Sequence, residues 1–290
     1  MNIYNYPLWL IKPLSLLGKF FPKFVLNIRY YKNNKHFINW NTPQNIQEYC
    51  LAKLFDKKNQ LQLYADLADK VKVHDFVRER IGNSYLNEMY GYWDSSKKID
   101  FEKLPNKFVL KTNNGCASNL IIKDKSQINE EEIKSKLDYW MALPYGDLSG
   151  QIHYSKIKPL ILAEKFLEQS KEKDVLPYDY KFFCFKGKPL FVLYYEGRNL
   201  NGHITPNMLF DMDWKAFPNA VLRPITKPIN QPKSFKEMKE CVEKLCKGFD
   251  FVRVDFYEIN NHPIFGEMTF TPSLDPIRKD FEPLMKLHLQ

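Results

Sequence analysis

Residues 251–270, FVRVDFYEINNHPIFGEMTF, constrain the fold more than any other stretch of the sequence. Val252, Val254 and Phe256 alternate with Arg253, Asp255 and Tyr257, the period of a strand whose two faces differ. A second arm sets Ile264, Met268 and Phe270 on one side and Phe265, Glu267 and Thr269 on the other. Asn260, Asn261, His262 and Pro263 supply turn chemistry between the arms, so the stretch reads as a β-hairpin. A loop of Asn260 to His262 places Asp255 opposite Glu267 and Arg253 opposite Thr269, on one face.

Two carboxylates directly across a sheet repel one another. Either a hard cation joins them, as Mg2+ does with one or two carboxylates and nucleotide phosphates, or they are solvated charges on an exposed hairpin. The hairpin by itself leaves both readings open.

Composition narrows the setting. With 44% hydrophobic and 15% aromatic residues, the 290-residue chain is neither disordered nor of low complexity, and it is long enough for two or three packed subdomains. Lys and Arg number 43 against 34 Asp and Glu, and the net charge of +9 favours anionic partners: nucleotides, nucleic acid, acidic glycans or anionic lipid. The five cysteines, Cys50, Cys116, Cys184, Cys241 and Cys246, show no CxxC spacing, and the six histidines form no HExxH cluster. That pattern argues against a disulfide framework and a zinc site, and fits a reducing cytosol.

Residues 4–40 are apolar and basic at once, with Trp9, Leu10, Leu14, Phe20, Phe21 and Phe24 interleaved with Lys12, Lys19, Lys23 and Arg29. Lys12, Pro13, Lys19 and Pro22 interrupt the run well short of the roughly 18 apolar residues a spanning helix needs. The layout of a secretory signal is not evident. An amphipathic segment at a membrane interface and a helix packed on the protein body both fit.

Further along, Tyr49 to Arg80 carries apolar residues at helical spacing and is expected to stop at Gly82 and Asn83. Strands are expected at Lys107–Leu110 and Leu120–Lys123, around a small polar loop from Lys111 to Asn119 whose backbone N–H groups could close over phosphates. Asn129 and Glu132 open a helix to about Ala142, and a loop is expected from Pro144 to Tyr154. Strands follow at Leu160–Glu168, Tyr180–Phe185, Leu190–Tyr195 and Asn207–Phe210. Ser234 and Glu237 have the spacing of a second capping box, on a helix ended by Gly248.

The ordered blocks LADKVKVHDFVRERIG, FVLKTNNGCASN, IKPLILAEKFL, DYKFFCFKGKP, and FVRVDFY with FGEMTFTP resemble the ATP-grasp superfamily, and within it the TupA-like proteins of bacterial polysaccharide gene clusters. The resemblance covers about residues 65–272. It implies an α+β fold in which two antiparallel-sheet lobes hold ATP between them, after an N-terminal helical region. The corresponding division is residues 1–62 as the N-terminal helical, apolar and basic region, 63–105 as a helical lead-in, 106–168 as small lobe and hinge, and 169–290 as large lobe with the metal site.

On this resemblance Lys111 binds the α and β phosphates, with Asn114, Gly115 and Ser118 in the loop beside them. Glu164, Lys165, Phe166 and Leu167 form the hinge that reads adenine. Lys181 faces phosphate, and Arg253 stabilises the transferring phosphoryl group. Asp255 and Glu267 bind Mg2+, joined by Thr269, which stands where many ATP-grasp ligases have Asn.

The implied reaction is ATP-dependent joining of a carboxylate and an amine through an acyl phosphate. TupA-like proteins are associated with amides in surface polymers, so the expected partners are an amino acid and an acidic glycan bearing uronic acid, in a capsule, lipopolysaccharide or teichuronopeptide. His153, Tyr154, Tyr194, Tyr195, Arg198 and Arg223 are candidate substrate contacts. The expected cofactors are ATP and Mg2+, and the expected location is the cytoplasm or the cytoplasmic face of the inner membrane, with no nucleic-acid partner. A glycan kinase, a glycosyltransferase-associated protein and a nucleotide binder without turnover are the alternatives. Asp211-Met212-Asp213 imitates a glycosyltransferase DxD motif but reads as loop.

Overall fold

The computed structural model of the chain describes residues 7–56, 60–168, 176–196, 207–273 and 277. Pro22 divides the N-terminal apolar run into two helices, α1 (Leu8–Phe20) and α2 (Pro22–Asn34). The helical stretch that follows is three helices rather than one: α3 (Ile46–Asp56), α4 (Leu61–Ala68) and α5 (Val73–Arg80). Asp69 makes the second break, because its carboxylate accepts the N–H groups of Val71 and Lys72 in place of helix continuation. Gly82, at φ 107°, ends α5.

The chain forms two compact units. The first comprises Met1–Asn39, Leu54–Val73 and Glu88–Phe166. Its antiparallel sheet has β1 (Met89–Trp93), β2 (Phe108–Thr112), β3 (Asn119–Ile122) and β4 (Ile161–Lys165) in the order β1-β4-β2-β3. Strand β1 has no counterpart in the sequence reading. Its MYGYW run alternates, but Gly91 breaks the apolar pattern that marks the other strands. Phe108, Leu110, Ile161 and Ala163 join Ile133, Leu137 and Trp140 of α6 (Glu130–Ala142) in one core, which leaves Val109, Lys111, Leu162 and Glu164 on the other face. Asn129 caps α6 by accepting the Glu132 N–H.

The span from Pro144 to Tyr154, expected as a loop, contains a short helix, α7 (Tyr145–Ser149). Helix α1 crosses α7 at Gly18, where an added Cβ would lie 1.7 Å from the Asp147 carbonyl oxygen. Only glycine permits that approach.

The second unit comprises Trp40–Lys53, His74–Asn87 and Leu167–Gln290. Its antiparallel sheet has β5 (Asp179–Phe185), β6 (Lys188–Tyr195), β7 (Asn207–Asp211), β8 (Phe251–Ile259) and β9 (His262–Thr269) in the order β7-β6-β5-β8-β9. Phe182 and Phe256 pack with Phe235 of α8 (Phe235–Cys246) on one side of the sheet. On the other, Phe183, Phe185, Phe191, Leu193 and Phe251 form a core with Ile46 and Cys50 of α3. Ser234 makes no side-chain cap for α8. Its hydroxyl and N–H both donate to Glu258, while Glu237 accepts from the Tyr85 hydroxyl, so the expected capping box does not form.

The β8–β9 hairpin reaches the expected pairing by a different route. The turn is two residues, Asn260 and Asn261, both left-handed at φ 54° and 62°. This is type I′ geometry, which Asn tolerates. Gly266 is an extra residue in β9, between the Asp255–Glu267 and Phe256–Phe265 pairs. The bulge offsets the shorter turn, restores Asp255 opposite Glu267, and reverses the faces expected for Ile264 and Phe265. Phe265 pairs with buried Phe256 and is itself buried.

Candidate nucleotide and metal site

In the second unit, strand pairing lines up Lys181, Asp255 and Glu267 on three neighbouring strands, with Arg253 and Thr269 paired one step along. Arg253 grips both carboxylates. Its Nε donates to Asp255 Oδ1 at 2.7 Å and its Nη2 to Asp255 Oδ2 at 2.8 Å, to Glu267 Oε1 at 2.5 Å and to Thr269 Oγ1 at 3.1 Å. Lys181 Nζ lies 2.5 Å from Asp255 Oδ2 and 2.8 Å from Asp179 Oδ2. Asp179 belongs to no site motif in the sequence, and its one signal is the two-residue spacing from Lys181, which puts both side chains on the same face of a strand.

These charges are buried: Asp255 is 2% exposed, Lys181 and Arg253 8% each, and Asp179 1%. Burial pushes the Asp255 carboxyl above its ordinary value, against the pull of Arg253 and Lys181. Burial works to lower the Arg253 guanidinium, but the Asp255 and Glu267 carboxylates outweigh it and hold the group above its usual value. The network is stable only as a charge-paired whole, so loss of one member leaves an uncompensated buried charge.

The donor set fits a hard cation. Asp255 and Glu267 present carboxylate oxygens in register, and the Thr269 hydroxyl lies 3.2 Å from Glu267. Among the described residues there is no group of three or more His, Cys, Asp or Glu side chains that could hold a metal ion, so two carboxylates and a hydroxyl are the donors here. Mg2+ characteristically takes one or two carboxylates and completes its shell with phosphate oxygens and water.

In the first unit, Lys111 and Glu164 share the sheet face that turns away from α6, with Lys111 Nζ 2.5 Å from Glu164 Oε2. The loop after Lys111 is fixed by its polar side chains. Asn113, fully buried, accepts the Leu160 N–H at 2.7 Å and donates to the Lys158 carbonyl at 3.1 Å. Thr112 donates to the Ser118 hydroxyl at 2.7 Å, and Lys70 donates to the Gly115 carbonyl at 2.7 Å. Asn114 is also buried. Four hydrogen-bonded side chains, Asn113, Thr112, Ser118 and Lys70, thus do the shaping that a loop richer in glycine leaves to backbone freedom.

Lys165 is exposed and pairs with Glu88 at 3.4 Å, while its N–H donates to the Glu88 carbonyl. Phe166 and Leu167 follow β4 without strand pairing and are half-buried. His153 has no exposed surface, and burial lowers its imidazole to about 3. Tyr154 is buried against Tyr145, and Tyr194 against Tyr180, where burial raises its phenol. Tyr195 is half-buried, with Lys181 Nζ 5.9 Å from its ring centre. Arg223 is exposed, and Arg198 lies outside the described residues. Asp211 accepts the N–H groups of Asp213 and Lys215, so its carboxylate shapes a turn.

Residues 50–283 match the sequence profile of the TupA-like ATP-grasp proteins. The chain belongs to the TupA-like ATP-grasp family. The two antiparallel sheets described above are those of the ATP-grasp fold. Similar solved structures include an L-amino acid ligase from Bacillus licheniformis, at 13% identity and a TM-score of 0.43 over 72% of this chain and 42% of that one. A D-alanine–D-alanine ligase from Bacillus anthracis complexed with ATP aligns at 13% identity and a TM-score of 0.42, over 77% of this chain and 62% of that one. The ATP-grasp ligase PsnB, with its minimal precursor variant, Mg and ADP, aligns at 10% identity and a TM-score of 0.41, over 81% and 61%. The chain spans about half the length of the solved structures it matches. No curated protein matches it.

Proposed function

We propose that this TupA-like protein is an ATP-dependent carboxylate–amine ligase that attaches an amino acid to a uronic acid of a bacterial surface polysaccharide. The observation that carries the reading is the buried Arg253, fixed by Asp255, Glu267 and Thr269, with Lys181 on the adjoining strand. In such a reaction the acceptor carboxylate oxygen attacks the γ-phosphorus of ATP, the bond to ADP breaks, and an acyl phosphate forms. The amine then attacks the acyl carbon, phosphate leaves with the bonding pair, and the amine proton is released.

Both steps gather anions, and fixed N–H donors in a dry site stabilise them without reorganisation. Arg253 and Lys181 are such donors, already oriented by their carboxylate partners. Mg2+, when held by Asp255, Glu267 and Thr269, would neutralise phosphate charge. Lys111 and the fixed loop from Asn113 to Ser118 would bind the nucleotide phosphates. The net charge of +9 suits an acidic glycan.

The test is release of ADP and phosphate by the purified protein with Mg-ATP, a panel of amino acids, and uronic acids in free, nucleotide-linked and lipid-linked form. Turnover that needs both an amine and a carboxylate, and that is lost in Asp255→Ala and Glu267→Ala, supports the ligase. Transfer of phosphate onto the glycan, detected by mass, would make the protein a kinase.

A further inference from the structure

The N-terminal helical pair is the one part of the described chain whose apolar side chains are turned outward. Among the described residues, eleven of the fourteen large hydrophobic side chains that are exposed fall between Trp9 and Phe37. The buried stripe of α1 is narrow: Ile11 and Gly18 lie on it, with Leu8 and Ser15 half-buried at the same helical spacing. Trp9, Leu14, Leu16 and Phe20 are 51–71% exposed, and at the turn into α2 Phe21 and Phe24 are exposed as well.

Charge on this segment has one sign. Lys12, Lys19, Lys23, Arg29, Lys32 and Lys35 precede the first acidic residue, Glu48, and supply two thirds of the chain's net charge. We infer that α1 and α2 seat on the surface of an anionic lipid bilayer, with the aromatic and aliphatic side chains in the acyl boundary and the cations at the phosphate level. Three observations choose this occupant. Two copies meeting through the segment would bring six cations against six. The apolar wedge Phe20, Phe21 and Phe24 has Lys19 and Lys23 beside it, long side chains that can lie along apolar surface while their ammonium groups reach phosphate. The helices are 13 residues each, about 20 Å, and no helix among the described residues is long and apolar enough to cross a membrane, so the segment would lie in the interface plane.

The experiment is flotation of the purified full chain with vesicles of phosphatidylcholine alone and of phosphatidylcholine with phosphatidylglycerol, at low and high salt. Binding is expected on the anionic vesicles at low salt and is expected to fall at high salt. Replacing Lys12, Lys19 and Arg29 by Gln should weaken it about a hundredfold, at about fivefold per cation near the surface. Phe20→Asp with Phe21→Asp should abolish it. Thermal unfolding reports whether each variant is folded, and should the double Asp variant fail to fold, the Gln variant alone decides. Failure to float with anionic vesicles, equal binding to both vesicle types, or binding unchanged in the folded variants would overturn the inference. So would lipid-free, concentration-dependent dimerisation that Phe20→Asp removes.

Discussion

Asp255 and Glu267 stand directly opposite one another because Gly266 bulges out of β9 beside them and a two-residue turn closes the hairpin. One residue too few in the turn is matched by one too many in the strand. Deleting Gly266 removes the one residue of the bulge that has no partner, and leaves Phe256 opposite Phe265 and Asp255 opposite Glu267 in a regular ladder closed by the two-residue turn. Mg2+-dependent ATP binding, followed by calorimetry, should therefore survive the deletion. Loss of binding in a folded deletion variant would show that the bulge shapes the site beyond setting the pair opposite one another.

Arg253→Lys keeps the charge and loses the planar fork that spans Asp255 and Glu267. We expect turnover to fall by about 10²–10³, with a much smaller change in the KM for ATP, as for removal of one preorganised donor. Arg253→Met should also destabilise the protein by about 3–5 kcal/mol, since it removes a buried cation that makes two bonds to Asp255 and one to Glu267 and leaves Asp255 buried beside Asp179. Steady-state kinetics and denaturant unfolding separate the two effects.

Much of the large sheet is legible because its strands are short runs rich in aromatic and branched residues and its turns carry Lys-Gly and Asn-Asn. The opposition of Asp255 and Glu267 is legible too, although from a loop one residue too long and a strand without its bulge. A single glycine in a strand does not announce which neighbour it displaces, so strict alternation puts Ile264 and Phe265 on the wrong faces. Ser234 and Glu237 had the spacing of a capping box, but spacing cannot reveal that Glu258 and Tyr85 compete for them. Asp179 is not legible in the sequence because a lone acid beside an aromatic strand looks like an edge charge, until the pairing of β5 with β8 sets Lys181 opposite Asp255 and draws Asp179 into the same network.

Asn113 fixes the start of the loop after Lys111 through two hydrogen bonds to the chain at Lys158 and Leu160. Asn113→Ala leaves a buried N–H and a buried carbonyl without those partners. A loss of about 2–3 kcal/mol is expected in denaturant unfolding. If the loop binds phosphate, the KM for ATP should rise while turnover at saturation changes little. A variant as stable as the parent would mean that water replaces both bonds.

His153 provides a titration that can be read separately from catalysis. Its imidazole is fully buried, and desolvation lowers it from 6.5 to about 3 in the folded protein. Between those values the unfolded chain binds a proton that the native protein does not. The contribution is present above pH 6.5 and is lost progressively as pH falls toward 3, at about 1.4 kcal/mol per pH unit. His153→Leu removes the titrating group, so its stability should depend less steeply on pH by about one proton between pH 6 and pH 4, whatever its absolute stability. Urea unfolding of both proteins at several pH values measures that difference in slope, and equal slopes would mean that His153 takes up its proton in the native state near its ordinary value.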